Sequence, residues 1–111
     1  MDSILDSIKE LLDANTDDGF DTSILIFINS ALMKLHQLGV GPAVGFRVTD
    51  ANATWSMFIG NDLLLNSVQE YVYLSVQLAF DPPSTAAAIS SAERIKDQLE
   101  WRITEQVELQ I

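Results

Sequence analysis

The sequence predicts an all-α fold, a small bundle of about four helices built around an αα-hairpin. The first observation is periodicity, because apolar residues recur at three- and four-residue spacing in several segments of the 111-residue chain. The second is the corner Asp81-Pro82-Pro83-Ser84, since its prolines have no N–H for a helical hydrogen bond. Long helical patterns lie on both sides of this corner and predict the hairpin. A chain of this length suits one domain with a modest core.

The first two predicted helices are Ser3–Asp13 and Thr22–Leu38. The opening serine of the first helix, followed by Asp6, resembles a capping box. The second helix is apolar on nearly all sides through residues 24–28, which is typical of a helix in the core or at a subunit contact. Gly39 is expected to end it, because glycine tolerates the left-handed conformation that follows many helices.

The acidic loop between these helices ends at Asp21, the expected N-cap of the second helix. Asp13, Asn15 and Asp17 have the first three ligand spacings of a calcium-binding EF-hand. The following residue, however, is aspartate where that loop requires glycine, and Ile24 stands where it requires glutamate. A solvated acidic loop without a metal is therefore the better interpretation.

The middle loop, residues 40–60, is the least helical part of the chain and contains three glycines, at positions 41, 45 and 60. Within it, Phe46–Thr49 alternate and could pair as a strand or as one arm of a short β-hairpin. A loop this long in a small domain is typical of a binding segment. The alternative is that Trp55 and Phe58 fill the core. The candidate contacts with a neighbouring subunit or another partner are Phe46, Trp55, Met57 and Phe58.

The hairpin joins a helix that begins near Asn61 or Asp62 to a helix that begins near Ser84, with that serine as its N-cap. Its two apolar stripes are Leu64, Leu65, Val68, Val72, Val76 and Ala79 in the first helix, and Ile89, Ala92, Ile95, Leu99 and Ile103 in the second. The residues expected to hold the hairpin together are Tyr71, Phe80, Asp81, Pro82, Pro83 and Trp101.

The last nine residues change pattern. Apolar and polar residues alternate there, with Ile103, Glu105, Val107, Leu109 and Ile111 on one side. This favours an extended strand that could add to the sheet edge of another protein, and the alternative is a helix that continues and frays. We therefore predict a helical domain at residues 1–102, which includes the middle loop, and an extended docking tail at residues 103–111.

The charge of the chain excludes several classes of protein. Sixteen acidic and six basic residues give a net charge of −10, so a DNA- or RNA-binding surface is not expected, and neither is binding to an anionic membrane. No run of about 18 uncharged apolar residues is present, and Asp2 and Asp6 stand where a signal peptide carries basic residues. We therefore expect no membrane span and no secretion.

Residues for catalysis and metal binding are scarce. The chain has no cysteine and one histidine, His36, so we expect no disulfide, no thiol chemistry and no zinc site. His36 is expected to interact with the dipole at the C-terminal end of its helix. No phosphate-binding glycine loop, GxSxG or HExxH motif is present. We predict no enzyme, no catalytic residue and no cofactor, but a protein that works through its surfaces.

Several stretches of the chain resemble one protein family. They are Ile28-Asn29-Ser30-Ala31-Leu32 with Gln37-Leu38-Gly39-Val40-Gly41, Trp55 in the middle loop, Tyr71-Val72-Tyr73-Leu74 through Phe80-Asp81-Pro82-Pro83-Ser84, and Glu100-Trp101-Arg102. Together they span about Ile4 to Arg102 and resemble the small helical head-tail connector proteins, also called adaptor or head-completion proteins, of long-tailed bacteriophages. The middle loop as a whole and the last nine residues match no fixed pattern of that family.

The resemblance implies a structural virion protein that forms a ring, commonly twelve-fold, under the portal of the filled capsid. DNA passes through its channel without specific binding during genome packaging and ejection, and tail-side neck proteins, a stopper or a tail terminator, dock beneath. The implied location is the phage neck, after assembly in the host cytoplasm. The implied portal contacts are Ile103, Val107, Leu109 and Ile111. The net acidity agrees with a channel wall that repels phosphate.

A rival prediction is a soluble acidic helical binding protein, such as a phage-encoded inhibitor or a DNA mimic. Such a protein would be a monomer or dimer and would bind a basic partner in a salt-dependent way. Electron microscopy of the protein mixed with portal-bearing capsids would distinguish the two.

Overall fold

The computed structural model describes residues 2–13, 18–60 and 63–109. This part of the chain contains five α-helices, α1 (Ile4–Leu11), α2 (Asp21–Gln37), α3 (Trp55–Phe58), α4 (Leu65–Phe80) and α5 (Ala86–Leu109), and one turn of 3-10 helix at Asp18–Phe20. It contains no β-strand, only an isolated bridge between Ser3 and Thr54. The prediction of an all-α bundle is confirmed.

α4 is the central helix of the bundle, because it packs against both α2 and α5. Val68, Val72 and Val76 are fully buried, and their four-residue spacing places them on one face of α4. The predicted stripe is therefore the core face of this helix as far as Val76, whereas its last member, Ala79, is exposed. α1 packs on α2 and α4 through Ile4 and Ile8, which are also fully buried. Removing these side chains from water is the main favourable contribution to folding.

The corner between α4 and α5 lies where the prolines predicted it. Asp81 leaves the helical region, with φ −147° and ψ 68°, as expected for a residue that precedes proline. The cap of α5 is one residue later than predicted, because Thr85 rather than Ser84 supplies it. Thr85 Oγ1 accepts a hydrogen bond from Ala88 N at 3.1 Å. Both residues are good caps, and a sequence pattern does not separate adjacent positions.

Of the predicted ends of α1 and α2, two are confirmed and one is wrong. Ser3 Oγ accepts a hydrogen bond from Asp6 N at 3.3 Å, which confirms the capping of α1. Gly39 follows the end of α2 with φ +94°, as predicted. Asp21, however, is the first residue of α2 rather than its N-cap. Its carboxylate lies 2.8 Å from Lys9 Nζ, so it forms an ion pair with α1 and does not cap its own helix.

The middle loop is ordered by α1 and α2 and forms no β-hairpin within the described residues. Asn29 Nδ2 donates to Val48 O at 2.8 Å, and Asn29 Oδ1 accepts from Val48 N at 2.8 Å. This side chain therefore satisfies the backbone groups that a second strand would have paired with. At the end of the loop, Ile4 N donates to Ala53 O at 3.0 Å. The strand considered for Phe46–Thr49 is not formed, because a side chain takes its place.

The prediction of an extended C-terminal tail is wrong. α5 continues as a helix to Leu109, and the boundary predicted between residues 102 and 103 lies inside it. Ile103 is fully buried, and Val107 packs so closely on the end of α2 that a Cβ on Gly39 would lie 3.0 Å from Val107 Cγ1. Because Ile103 and Val107 are four residues apart, side chains that alternate in the sequence also share one helical face. The helix satisfies backbone groups that a lone strand leaves unpaired.

Candidate interaction surfaces

The four residues predicted to bind a portal do not share one surface. Ile103 is buried and Val107 is partly buried, whereas Leu109 is 78% exposed. Ile111 lies outside the described residues. Of the other three, Leu109 is the side chain that a partner can reach without any change in α5.

Of the contact candidates predicted in the middle loop, some are buried and others are exposed. Trp55 is 1% exposed and Phe58 is 3% exposed, so their prediction as contact residues is wrong and the alternative, that they fill the core, is correct. Trp55 Nε1 donates to Ser7 Oγ at 2.9 Å, which joins α3 to α1. Phe46 is partly buried against Phe58, with ring centroids 5.4 Å apart. Met57 is 62% exposed and is available for contact.

Gly41 makes the packing of this loop very close. An added Cβ there would lie 2.4 Å from Phe58 Cε1, so the aromatic ring covers the glycine directly. Gly41 also has φ +87°, a conformation that side chains other than glycine rarely adopt. This position therefore fixes how the start of the middle loop meets its end.

Most of the residues predicted to hold the hairpin together lie at the α4–α5 junction. Tyr71 is 2% exposed in the middle of α4. Phe80 packs edge-on against Phe20, with ring centroids 5.3 Å apart, so the end of α4 also contacts the residue before α2. Asp81 and the two prolines after it form the corner itself.

Trp101 does not hold the hairpin together. It is 65% exposed, which contradicts its prediction as a packed residue. It is two positions from both Leu99 and Ile103, and two positions along an α-helix are about 200° apart. Leu99 and Ile103 are buried, so Trp101 faces away from the core.

The exposed side of the last part of α5 combines apolar and acidic residues. We call it the outer ridge, and it consists of Trp101, Glu105, Glu108 and Leu109. Spacings of four, seven and eight residues place these side chains on one side of the helix. An exposed tryptophan among carboxylates is unusual for a surface that meets only water, because tryptophan is enriched where proteins bind each other.

A cleft opens between α2, α4 and α5, and no residue pattern in the sequence predicted it. We call it the α2–α5 cleft. It has a volume of about 410 Å³ and is lined by Phe27, Ser30, Ala31, Lys34, Tyr71, Ser75, Ala79, Lys96 and Glu100. The lining side chains come from three helices, so only the packing of those helices brings them together.

One carboxylate in this cleft is already paired. Glu100 Oε1 lies 3.4 Å from Lys34 Nζ, and Tyr71 Oη donates to Glu100 Oε2 at 3.3 Å. Burial raises the pKa of Tyr71 to about 12, and the neighbouring Glu100 charge acts in the same direction. Lys96 Nζ lies 5.7 Å from the centroid of the Tyr71 ring, a cation–π contact. In the described part of the chain Lys96 forms no ion pair.

A second charged cluster is structural. Lys9 is 4% exposed, and its Nζ lies 2.9 Å from Asp18 Oδ1 and 2.8 Å from Asp21 Oδ1. The hydrogen bond to Asp21, followed by that to Asp18, raises the pKa of Lys9, while burial acts in the opposite direction. This cluster fixes the 3-10 turn and the start of α2 against α1.

The described residues offer few means for chemistry. They contain no group of three or more metal-ligating side chains. Asn15 and Asp17, from the calcium-like spacing, lie outside them. Among the helices that the structure describes, none has the length and apolar character needed to cross a membrane. The accessible features are an acidic and apolar ridge and a cleft with unpaired positive charge.

A comparison with protein-family models matches residues 4–110 to the model of the phage connector proteins. The chain belongs to the phage connector protein family. It is therefore a connector-type structural protein of a bacteriophage, which confirms the resemblance drawn from the sequence. No curated protein matched the connector chain, and no solved structure matched it.

For a connector, the surfaces that meet other proteins are the functional sites. The sequence identified Leu109 and Met57 as contact candidates, and both side chains are exposed. It missed Lys34 and Lys96, because nothing in their spacing shows that they face one cleft. The interruption of the charged face of α5 by an apolar residue, Trp101, was the available signal for the outer ridge.

Proposed function

We propose that this connector assembles as a ring, commonly of twelve copies, beneath the portal of the capsid. The ring extends the DNA channel and provides the surface on which tail-side neck proteins, a stopper or a tail terminator, dock. The protein acts in the neck of the virion and assembles in the host cytoplasm. The observation that favours assembly is the exposure of Trp101 and Leu109 on the outer ridge, since apolar side chains of this size gain free energy when a partner covers them.

The C-terminal end of α5 is the proposed portal contact. Leu109 is exposed at the last described turn, and residues 110–111 continue from it. Ile103 and Val107 support this end from inside the molecule, so they position the contact rather than make it. A strand inserted into the portal would require the last turns of α5 to unwind and Ile103 to leave the core.

The acidity of the chain suits a channel for DNA. With a net charge of −10, the wall of a ring would repel phosphate groups, so DNA would slide through it without binding. Replacing carboxylates of the channel wall by lysine should slow or trap DNA during ejection. Unchanged ejection kinetics would contradict this role of the acidic residues.

The decisive experiment is electron microscopy of portal-bearing capsids from a phage that lacks this protein, with and without the purified chain. We expect an additional ring below the portal and recovery of tail attachment. A chain that ends at Glu108 tests the docking end, because the deletion removes no buried residue of the described structure. It should keep the helical circular dichroism and melting temperature of the full chain but fail to bind portal. Normal binding would move the portal contact elsewhere, to the surface around Met57.

The acidic composition also supports a second function, in which the connector chain is a soluble inhibitor or DNA mimic that binds a basic protein. This function requires a monomer or dimer that ignores portal-bearing capsids and binds a basic partner less tightly as salt increases. Ring density on the portal would exclude it.

A further inference from the structure

We infer that the outer ridge of one copy docks into the α2–α5 cleft of the next copy, with Glu105 beside Lys96. This inference rests on the proposed ring, and it names the two surfaces that join neighbouring subunits. Trp101 and Glu105 then face a sister subunit, while Leu109 at the end of α5 stays free for the portal.

The lining of the cleft holds two lysines, Lys34 and Lys96, against one carboxylate, Glu100, in a strongly acidic protein. Glu100 is its one carboxylate, and it is engaged by both Lys34 and Tyr71. Lys96 is left without an ion pair among the described residues. A carboxylate from a second copy would give Lys96 an ion-pair partner, which Glu93 and Asp97, in an adjoining pocket with Lys96, do not provide.

The apolar part of the cleft suits the apolar part of the ridge. Phe27, Ala31 and Ala79 line the cleft, and the two alanines leave room for a larger side chain to approach. Trp101 is 65% exposed. Docking would cover this side chain with the alanines and phenylalanine of a neighbour, and tryptophan in such a pocket is a frequent centre of binding energy.

The positions of the two surfaces favour a ring over a closed pair. Glu100 faces the cleft, and Trp101, the next residue, belongs to the ridge, so the two surfaces are about 100° apart around α5. A contact between two different surfaces is heterologous. Repetition of such a contact closes into a ring when the rotation between copies permits it.

Engineered cysteines test the contact directly, because the natural chain contains none. Ser30→Cys in the cleft and Glu105→Cys on the ridge should give disulfide-linked trimers and larger species under mild oxidation, since each copy bonds to two neighbours. The matched control combines Ser30→Cys with Glu70→Cys, an exposed position on α4. Each single variant can give at most a covalent dimer. Equal ladders from both pairs, or no ladder from the first pair on portal-bearing capsids, would overturn the inference.

Charge reversal gives an independent test. Lys96→Glu should weaken association between copies about tenfold or more, measured by sedimentation velocity and by copies bound per portal-bearing particle. Arg94→Glu is the control, because it changes the net charge equally on the same helix but does not line the cleft. Adding Glu105→Lys to Lys96→Glu should restore association.

The outcomes separate the inference from the proposed function. If the natural chain loads onto portal-bearing capsids and Lys96→Glu, with an unchanged melting temperature, loads equally well, the ring stands and the ridge-to-cleft contact is wrong. If the natural chain does not load and the variant with Ser30→Cys and Glu105→Cys does not cross-link, the proposed function and the inference both fail. Loss of loading in Lys96→Glu with recovery by Glu105→Lys supports both.

Discussion

Replacing Gly41 by alanine should destabilise the chain by about 2–5 kcal/mol. Gly41 has φ +87°, and holding a residue with a side chain in such a conformation costs roughly 1–2 kcal/mol. The new Cβ would also lie 2.4 Å from Phe58 Cε1. Phe58 is 3% exposed, so its ring has little room to move, and forced overpacking of this kind costs typically about 1–3 kcal/mol.

Gly45 provides the matched control for this substitution. Its φ of +90° is nearly the same, but an added Cβ there has nothing within 4 Å. Gly45→Ala should therefore lose only the backbone part, about 1–2 kcal/mol. Urea unfolding followed by circular dichroism gives both free energies, and equal slopes against urea would show that the two variants expose similar surface on unfolding.

The difference between the two variants measures the contact with Phe58. If Gly41→Ala loses no more stability than Gly45→Ala, the close packing of the ring on Gly41 is wrong. Combining Gly41→Ala with Phe58→Leu gives a further check, since removing the ring should relieve the clash. The double variant should lose less stability than the sum of the two single variants.

Four other predictions concern named side chains. Trp101→Ala should change the free energy of unfolding by less than about 0.5 kcal/mol because the side chain is exposed, and a loss near 3 kcal/mol in urea unfolding would show that it is packed. The phenol of Tyr71 should titrate near pH 12, seen as a phenolate absorbance step that Tyr71→Phe removes. Because folding raises the pKa values of Tyr71 and Lys9, the stability they provide is complete below about pH 10 and falls as the pH rises further. Urea unfolding across this range should show a smaller decline for Tyr71→Phe, and an equal decline would contradict the assignment. Lys9→Met should lose about 1–3 kcal/mol by leaving Asp21 unpaired, whereas Lys34→Met, at a half-exposed pair, should lose less than about 1 kcal/mol by the same measurement.

Local chemistry explains which parts of the fold the sequence could predict. The stripe through Val72 and the proline corner at Asp81 each depend on residues close in the chain, and both are confirmed. The capping serine of α1 is correct for the same reason. Asp21 shows the limit of such reasoning, because its carboxylate pairs with Lys9, twelve positions earlier, and no local rule gives that preference.

The surfaces were harder to predict because they depend on how the helices pack. Trp101 was predicted to hold the hairpin together, but its angle relative to Leu99 puts it on the opposite side of α5. The prediction of an extended C-terminal tail failed for a different reason. The spacing of Ile103 and Val107 is compatible with one face of a strand and with one face of a helix. The buried partners of Ile103 decide between the two, and they lie in other helices.

The two tryptophans have opposite environments, one buried and one exposed. Trp55 is sealed in the interior with its indole N–H bonded to Ser7, whereas Trp101 is open to solvent. Single-tryptophan variants would therefore turn intrinsic fluorescence into two separate signals. Emission from Trp55 would follow unfolding, and quenching of Trp101 by acrylamide would follow the covering of the outer ridge, so both events could be timed without attaching a dye.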